Sequence, residues 1–209
     1  MKKLLIALGL AITTGFASVP AWSVPLTFSP SEVVGIAVGD IFKVDVKVSG
    51  LDAGGEVVSA FDIDILFNDV QLDLTLVELG LGLGDFSLFE AIESVDTSAA
   101  GIAKLTVTSF LTDDDLAALQ GDSVTIATLT FTAATDAEDF IRFGAGPVFE
   151  RNIVGRRGQS LAVNVNQVCV GVGDGNDCQR NPVPVPAPFL LLGAGVLGLL
   201  ASRRFALVR

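Results

Sequence analysis

Asp62 and Asp64 stand two apart in the stretch SAFDIDILFN. On an extended strand that spacing puts both carboxyls on one face, roughly 7 Å apart, a separation that paired-carboxylate glycoside hydrolysis can use. Other catalytic chemistry is poorly supplied. The sequence has no His and no Tyr, one Trp at position 22, and two cysteines, Cys169 and Cys178. Ser-His-Asp, Cys-His and His-based metal mechanisms are therefore excluded. The alternation that aligns Asp62 with Asp64 is also what any solvated sheet face produces, and a sugar-cleaving groove without Trp or Tyr lacks its stacking platforms. The residues point to a solvated face on a protein that is not an enzyme.

Clustered oxygens raise a second chemistry, calcium binding, which needs six to eight oxygen ligands in a tolerant geometry. Asp113, Asp114 and Asp115 form one cluster, Asn68 with Asp69 another, and the GDGND stretch ending at Asp177 a third. None follows the EF-hand pattern, because Asp177 is followed by Cys178 and no properly spaced glutamate. Each cluster is also ordinary turn or helix-cap chemistry. Asp113, Asp114 and Asp115 are the calcium candidates, and no other cofactor is expected.

Cys169 and Cys178 flank the Gly- and Asp-rich turn VGVGDGND. In an oxidising compartment they close a small disulfide loop, which restricts the unfolded chain by about 2 to 3 kcal/mol. Metal ligation by two thiolates with no further Cys or His is the weaker reading.

The N-terminus supplies the compartment. Lys2 and Lys3 precede an apolar stretch from Leu4 to Ile12, and Ala21-Trp22-Ser23 offers small residues for a signal peptidase, which places cleavage after Ser23. All 24 acidic residues lie between Val24 and Pro186 against eight of the 13 basic ones, a net charge of −16 for that stretch. Such a surface repels nucleic acid and anionic lipid, so nucleic acid is not an expected partner.

Period-two alternation dominates the body. In FKVDVKVSG, Phe42, Val44, Val46 and Val48 share one face and Lys43, Asp45 and Lys47 the other; Phe61, Ile63, Ile65 and Phe67 repeat the pattern opposite Asp62 and Asp64. Further strands are expected at 71–79, 89–96, 102–110, 123–133, 139–144, 147–154 and 160–170. About nine strands separated by Gly, Asp and Asn turns predict an all-β, two-sheet antiparallel sandwich. One short helix interrupts them: Thr112 caps, three aspartates fill the first turn, Leu116 and Leu119 supply an apolar edge, and Gly121 stops it.

The succession VGDIFKVDVKVSGL, VSAFDIDILFN, LDLTLVELG, GIAKLTVTSF and TLTFTA resembles cohesin-like domains in order and spacing across about residues 26 to 170. The resemblance implies a jelly-roll sandwich and speaks to fold far more than to activity.

Beyond the cysteines, Val183-Pro184-Val185-Pro186-Ala187 leads into a short apolar run and then Arg203 and Arg204. The run is shorter than the roughly 20 residues of a stable membrane span. Its layout resembles a PEP-CTERM-type sorting signal of the V-P-x-P-A variant. That resemblance implies an exosortase substrate, held transiently in the inner membrane and delivered to the surface or extracellular matrix of a Gram-negative bacterium. The expected organisation is a signal peptide over 1–23, a cohesin-like sandwich over 24–180 and a sorting and transmembrane segment over 181–209. The expected function is adhesion or structural association with a surface protein or exopolysaccharide. The alternative is a cohesin-type receptor for a dockerin-like partner, or a carbohydrate-binding module in polysaccharide metabolism.

Overall fold

The computed structural model describes residues 23–174 and Cys178. These residues form twelve strands: β1 (Ser23–Ser29), β2 (Glu32–Ile36), β3 (Ile41–Ser49), β4 (Ala60–Leu66), β5 (Leu72–Leu79), β6 (Ala91–Asp96), β7 (Ile102–Ser109), β8 (Ser123–Ala133), β9 (Glu138–Phe143), β10 (Arg151–Val154), β11 (Ser160–Val165) and β12 (Gln167–Val172). A single helical turn, α1 (Leu51–Gly54), follows β3, and α2 (Asp113–Gln120) joins β7 to β8.

The strands pack as the expected all-β sandwich. One layer runs β5-β8-β3-β1, antiparallel throughout, with β11 added parallel to β1. The other runs β6-β7-β4, after which two strands share the far edge of β4: β10 opposite residues 60–63 and β9 opposite 65–66. From β9 the ladder continues to β12 and then β2. β11 joins the layers, since Ser160 and Leu161 pair with β10 while Ala162 to Val165 pair with β1.

Alternation builds the core. Val44, Val46 and Val48 of β3, Phe61, Ile63 and Ile65 of β4, and Ala103, Leu105 and Val107 of β7 point inward and are at most 2% exposed. Each large aliphatic or aromatic side chain so buried contributes about 1.5–3 kcal/mol. Phe28 of β1 stacks on Phe143 of β9 at 4.0 Å between centroids. Phe131 of β8 lies 5.6 Å from Phe42 and meets the edge of Phe67 at 5.2 Å.

β2 is a strand the sequence did not predict, the strand expected over 147–154 forms only at Arg151–Val154, and three other differences have local causes. β1 was hidden by Pro25, which lacks the donor a strand interior needs; its ladder with β3 begins only at Leu26, so Pro25 pairs on one side alone. The single strand expected over 160–170 is two, divided at Asn166. The strand expected from residue 89 starts at Ala91, because Phe89 adopts a left-handed conformation (φ 59°) that ends the preceding 3-10 turn.

α2 forms as its cap predicts. The Thr112 hydroxyl oxygen accepts from the Asp115 N–H at 3.3 Å and its O–H donates to the Asp115 carboxylate at 2.7 Å. The apolar edge differs, however: Leu119 is 55% exposed, and the residue buried one turn after Leu116 is Gln120. The inward face follows the i, i+4 spacing, and a hydrogen-bonding side chain fills it.

Cys169 and Cys178 form a disulfide with Cα atoms 5.9 Å apart. Residues 1–22 of the expected signal peptide, and the motif from Val183 to Ala187 with Arg203 and Arg204, lie outside the described residues. Among the described residues no helix is long and apolar enough to cross a membrane.

Candidate binding face

The cross-strand register of β10, β4, β7 and β6 lays out the outer surface of one layer. One row is Asn152, Asp62, Thr106 and Ser94; its neighbour is Val154, Ala60, Thr108 and Ile92. These residues alternate with the buried Phe61, Leu105 and Val107, so they face away from the core. The Thr106 hydroxyl donates to the Asp62 carboxylate at 3.1 Å, across two strands. Asn152 accepts from the Ser160 hydroxyl at 3.0 Å.

Large apolar side chains collect at one end of this surface. Ile92 is 55% exposed, Phe110 62% and Phe89 82%, and the Phe110 N–H donates to the Glu90 carbonyl at 2.7 Å, holding the chain after β7 against the approach to β6. At the other end Asp96 pairs in register with Lys104. Hydrogen bonds from Ser98, side chain first and then backbone, together with the Lys104 charge, hold the Asp96 carboxyl below its usual value.

The opposite layer presents a different outer surface. There Lys43 pairs with Glu78 at 3.1 Å, Lys47 with Asp45 at 3.4 Å, and the Thr128 hydroxyl donates to Asp45 at 2.8 Å. Lys43, Glu78, Lys47 and Asp45 are thus paired within the layer, and Ile41 and Leu76 stand exposed beside them. The β10-β4-β7-β6 surface combines hydroxyls, an amide and an exposed apolar end, the mixture found at protein interfaces.

Asp62 and Asp64 do share this face, but Asp64 is not solvated. It is 1% exposed, covered by the segment between β9 and β10. Its backbone N–H donates to the Glu150 carbonyl (2.8 Å), its carbonyl accepts from the Gly144 N–H (2.7 Å), and its Oδ2 accepts from the Glu150 N–H (3.1 Å). Asp64 therefore replaces the ladder where β9 leaves β4 and β10 joins it. A carboxylate so covered is not open to a glycan, so the pair does not form a sugar-cleaving dyad.

The three calcium candidates have separate partners. Asp115 completes the Thr112 cap, Asp114 lies 3.5 Å from Arg156, and Asp113 accepts from the Arg157 N–H at 3.2 Å. Together they tie the start of α2 to the turn at Arg156–Gly158. Sequence reading missed two amides that organise the site: Gln120, beneath the approach to β4, and Asn166, at the joint between β11 and β12. Neither lies in a pattern that distinguishes it from a surface amide.

The molecule is thus a jelly-roll sandwich whose β10-β4-β7-β6 face carries hydroxyls, an amide and an exposed apolar end. The chain belongs to the cohesin domain family, whose model matches residues 26–165. Its fold is similar to the sixth cohesin of scaffoldin B from Acetivibrio cellulolyticus, solved in complex with a dockerin, at TM-score 0.54 and 15% identity over 73% of this chain and 100% of that one. A type II cohesin domain from the cellulosome of the same organism matches at TM-score 0.54 and 14% identity, covering 72% and 95% of the two chains. A cohesin from a type I cohesin–dockerin complex of Clostridium thermocellum matches at 0.54 and 11%, covering 72% and 99%. No curated protein matches the sequence.

Proposed function

We propose that this protein is an exported, non-catalytic receptor that takes a dockerin-type module of a partner protein on the outer face of β10, β4, β7 and β6. The observation that carries the proposal is the membership of residues 26–165 in the cohesin family, combined with a sheet face whose exposed apolar end has no cover among the described residues. With Asp64 covered, the carboxylate pair expected from the sequence is not open on this face, and affinity is the function proposed for it. Titration of the full chain with calcium-loaded dockerin modules of the producing bacterium tests this: one-to-one binding supports it, and self-association in place of binding supports a homopolymeric matrix role instead.

The same reading places the module outside the cell. Cleavage after Ser23 removes the exposed first residue of β1 and leaves Val24, which with Leu26 and Phe28 is a buried side chain of β1, so the expected signal peptide overlaps the sandwich by that one residue. A disulfide is chemistry of an oxidising compartment. The proline motif Val183 to Ala187, with Arg203 and Arg204, then acts as the exosortase signal that moves the module from the inner membrane to the surface or matrix. Deleting residues 183–209 redistributes the protein on this account, and unchanged localisation would contradict it.

Calcium at Asp113, Asp114 and Asp115 is carried as a proposal with a narrow requirement: the ion has to draw these oxygens from Thr112, Arg156 and Arg157. Calcium chloride that raises the unfolding temperature of the wild type and not of Asp114→Asn supports it.

A further inference from the structure

We propose a second binding site, distinct from the sheet face, for a carboxylate-bearing sugar: a hexuronate unit of an acidic polysaccharide. The site is a cleft of about 780 Å³ beside the disulfide, lined in part by Glu32, Arg142, Phe143, Arg151, Gln167 and Cys169. That volume suits a short oligosaccharide.

Strand register builds the cleft floor. Gln167 lies opposite Arg142 in the β9–β12 ladder and Cys169 opposite Glu32 in the β12–β2 ladder, while the intervening Val168 and Val170 are buried. Arg142, Gln167, Cys169 and Glu32 therefore share the surface turned away from the core. Arg151, at the start of β10 and in register with Ile63, is the second arginine among the residues that line the cleft.

Charge selects the ligand. The stretch from Val24 to Pro186 carries only eight basic residues against 24 acidic ones, yet two of the eight line this one cleft. Lys43, Lys47 and Arg156 are held in ion pairs, whereas among the described residues neither the Arg142 nor the Arg151 guanidinium has an ion pair or a side-chain hydrogen bond. A guanidinium is a fork that matches a carboxylate with two parallel hydrogen bonds. Glu32 in the wall and Glu138 beside the disulfide sulfurs set two carboxylates against the two arginines, which disfavours doubly charged phosphate groups, and a carboxylate accepts hydrogen bonds from hydroxyls. One carboxylate surrounded by hydroxyls is the chemistry of a uronate, and Ala145 and Val165 offer apolar surface to its C–H face.

The test is calorimetric titration of the full chain at low salt with trigalacturonate, with maltotriose and inorganic phosphate as comparison ligands. Trigalacturonate binds, maltotriose and phosphate do not, and added sodium chloride weakens the binding. Arg142→Gln and Arg151→Gln each weaken it by about tenfold or more, the scale of a lost charged hydrogen bond. Arg142 is exposed, so its variant keeps the wild-type unfolding temperature. If Arg151→Gln fails to fold, Arg142→Gln combined with Gln167→Ala decides the matter. Failure of trigalacturonate to bind, equal binding of maltotriose or phosphate, or indifference to Arg142→Gln overturns the proposal. Thr106→Arg on the sheet face leaves trigalacturonate binding intact, which separates this site from the partner face.

Discussion

Gln120 pairs with Val58 as a neighbouring strand would: its Oε1 accepts from the Val58 N–H at 2.7 Å and its Nε2 donates to the Val58 carbonyl at 2.7 Å. The Nε2 also donates to the Gly82 carbonyl at 3.0 Å, so one buried side chain at the end of α2 joins the approach to β4 with the 3-10 turn at Leu81–Leu83. Gln120→Ala leaves buried backbone groups of Val58 unpaired. A loss of about 2–4 kcal/mol is expected in urea unfolding, from two unsatisfied polar groups. A loss within experimental error would show that water replaces the amide.

Asp64 holds the divergence of β9 and β10 with an acceptor, and its Oδ1 has no partner. An amide at this position retains an oxygen for the Glu150 N–H. Asp64→Asn is expected to leave stability unchanged or higher, whereas Asp64→Leu destabilises by about 1–3 kcal/mol by orphaning that N–H. Equal loss in both variants would mean that the charge itself is required.

Much of the architecture could be read in advance because strand alternation is written directly into residue order: Val44, Val46 and Val48, and Phe61, Ile63 and Ile65, are buried as their period predicts. The joints could not. Asn166 breaks a continuous apolar alternation because its side chain accepts from the Phe28 N–H at 2.7 Å and donates to the Phe28 carbonyl at 3.2 Å, a partnership 138 residues away in sequence. Gln120 and Asp64 behave alike, each standing in for a missing strand partner. Their burial depends on loops whose position the local pattern does not encode, which is why Asp64 reads as solvated and Leu119 as core.

The 3-10 turn at Phe86–Leu88 supplies a pH probe. Asp85 accepts from the Ser87 hydroxyl at 2.6 Å and the Ser87 N–H at 2.8 Å, and these bonds, the side-chain one first, hold its carboxyl below the ordinary 3.8. A depressed carboxyl stabilises the turn above the unfolded value, and the contribution disappears as pH falls through the lower folded value. The Ser87 amide resonance is expected to titrate with a midpoint under 3.8. A midpoint at or above it would show that the cap is not formed in solution.

The disulfide closes its loop at the end of β12, whose Cys169 lies opposite Glu32 and Phe140. Replacing both cysteines by alanine is expected to cost about 2–3 kcal/mol through the gain in unfolded-chain freedom. The sandwich core stays intact, since Val168, Val170 and Val172 keep their places in it. Loss of all cooperative unfolding would contradict that division.

The most direct measurement is the affinity of the full chain for dockerin modules of the producing bacterium, taken beside Thr106→Arg, a change at the centre of the β10-β4-β7-β6 face. Binding in roughly the nanomolar range for the wild type, weakened by about a hundredfold or more in a variant that still folds, is the predicted result. Absence of binding to every such module, or binding that Thr106→Arg leaves untouched, would contradict the account.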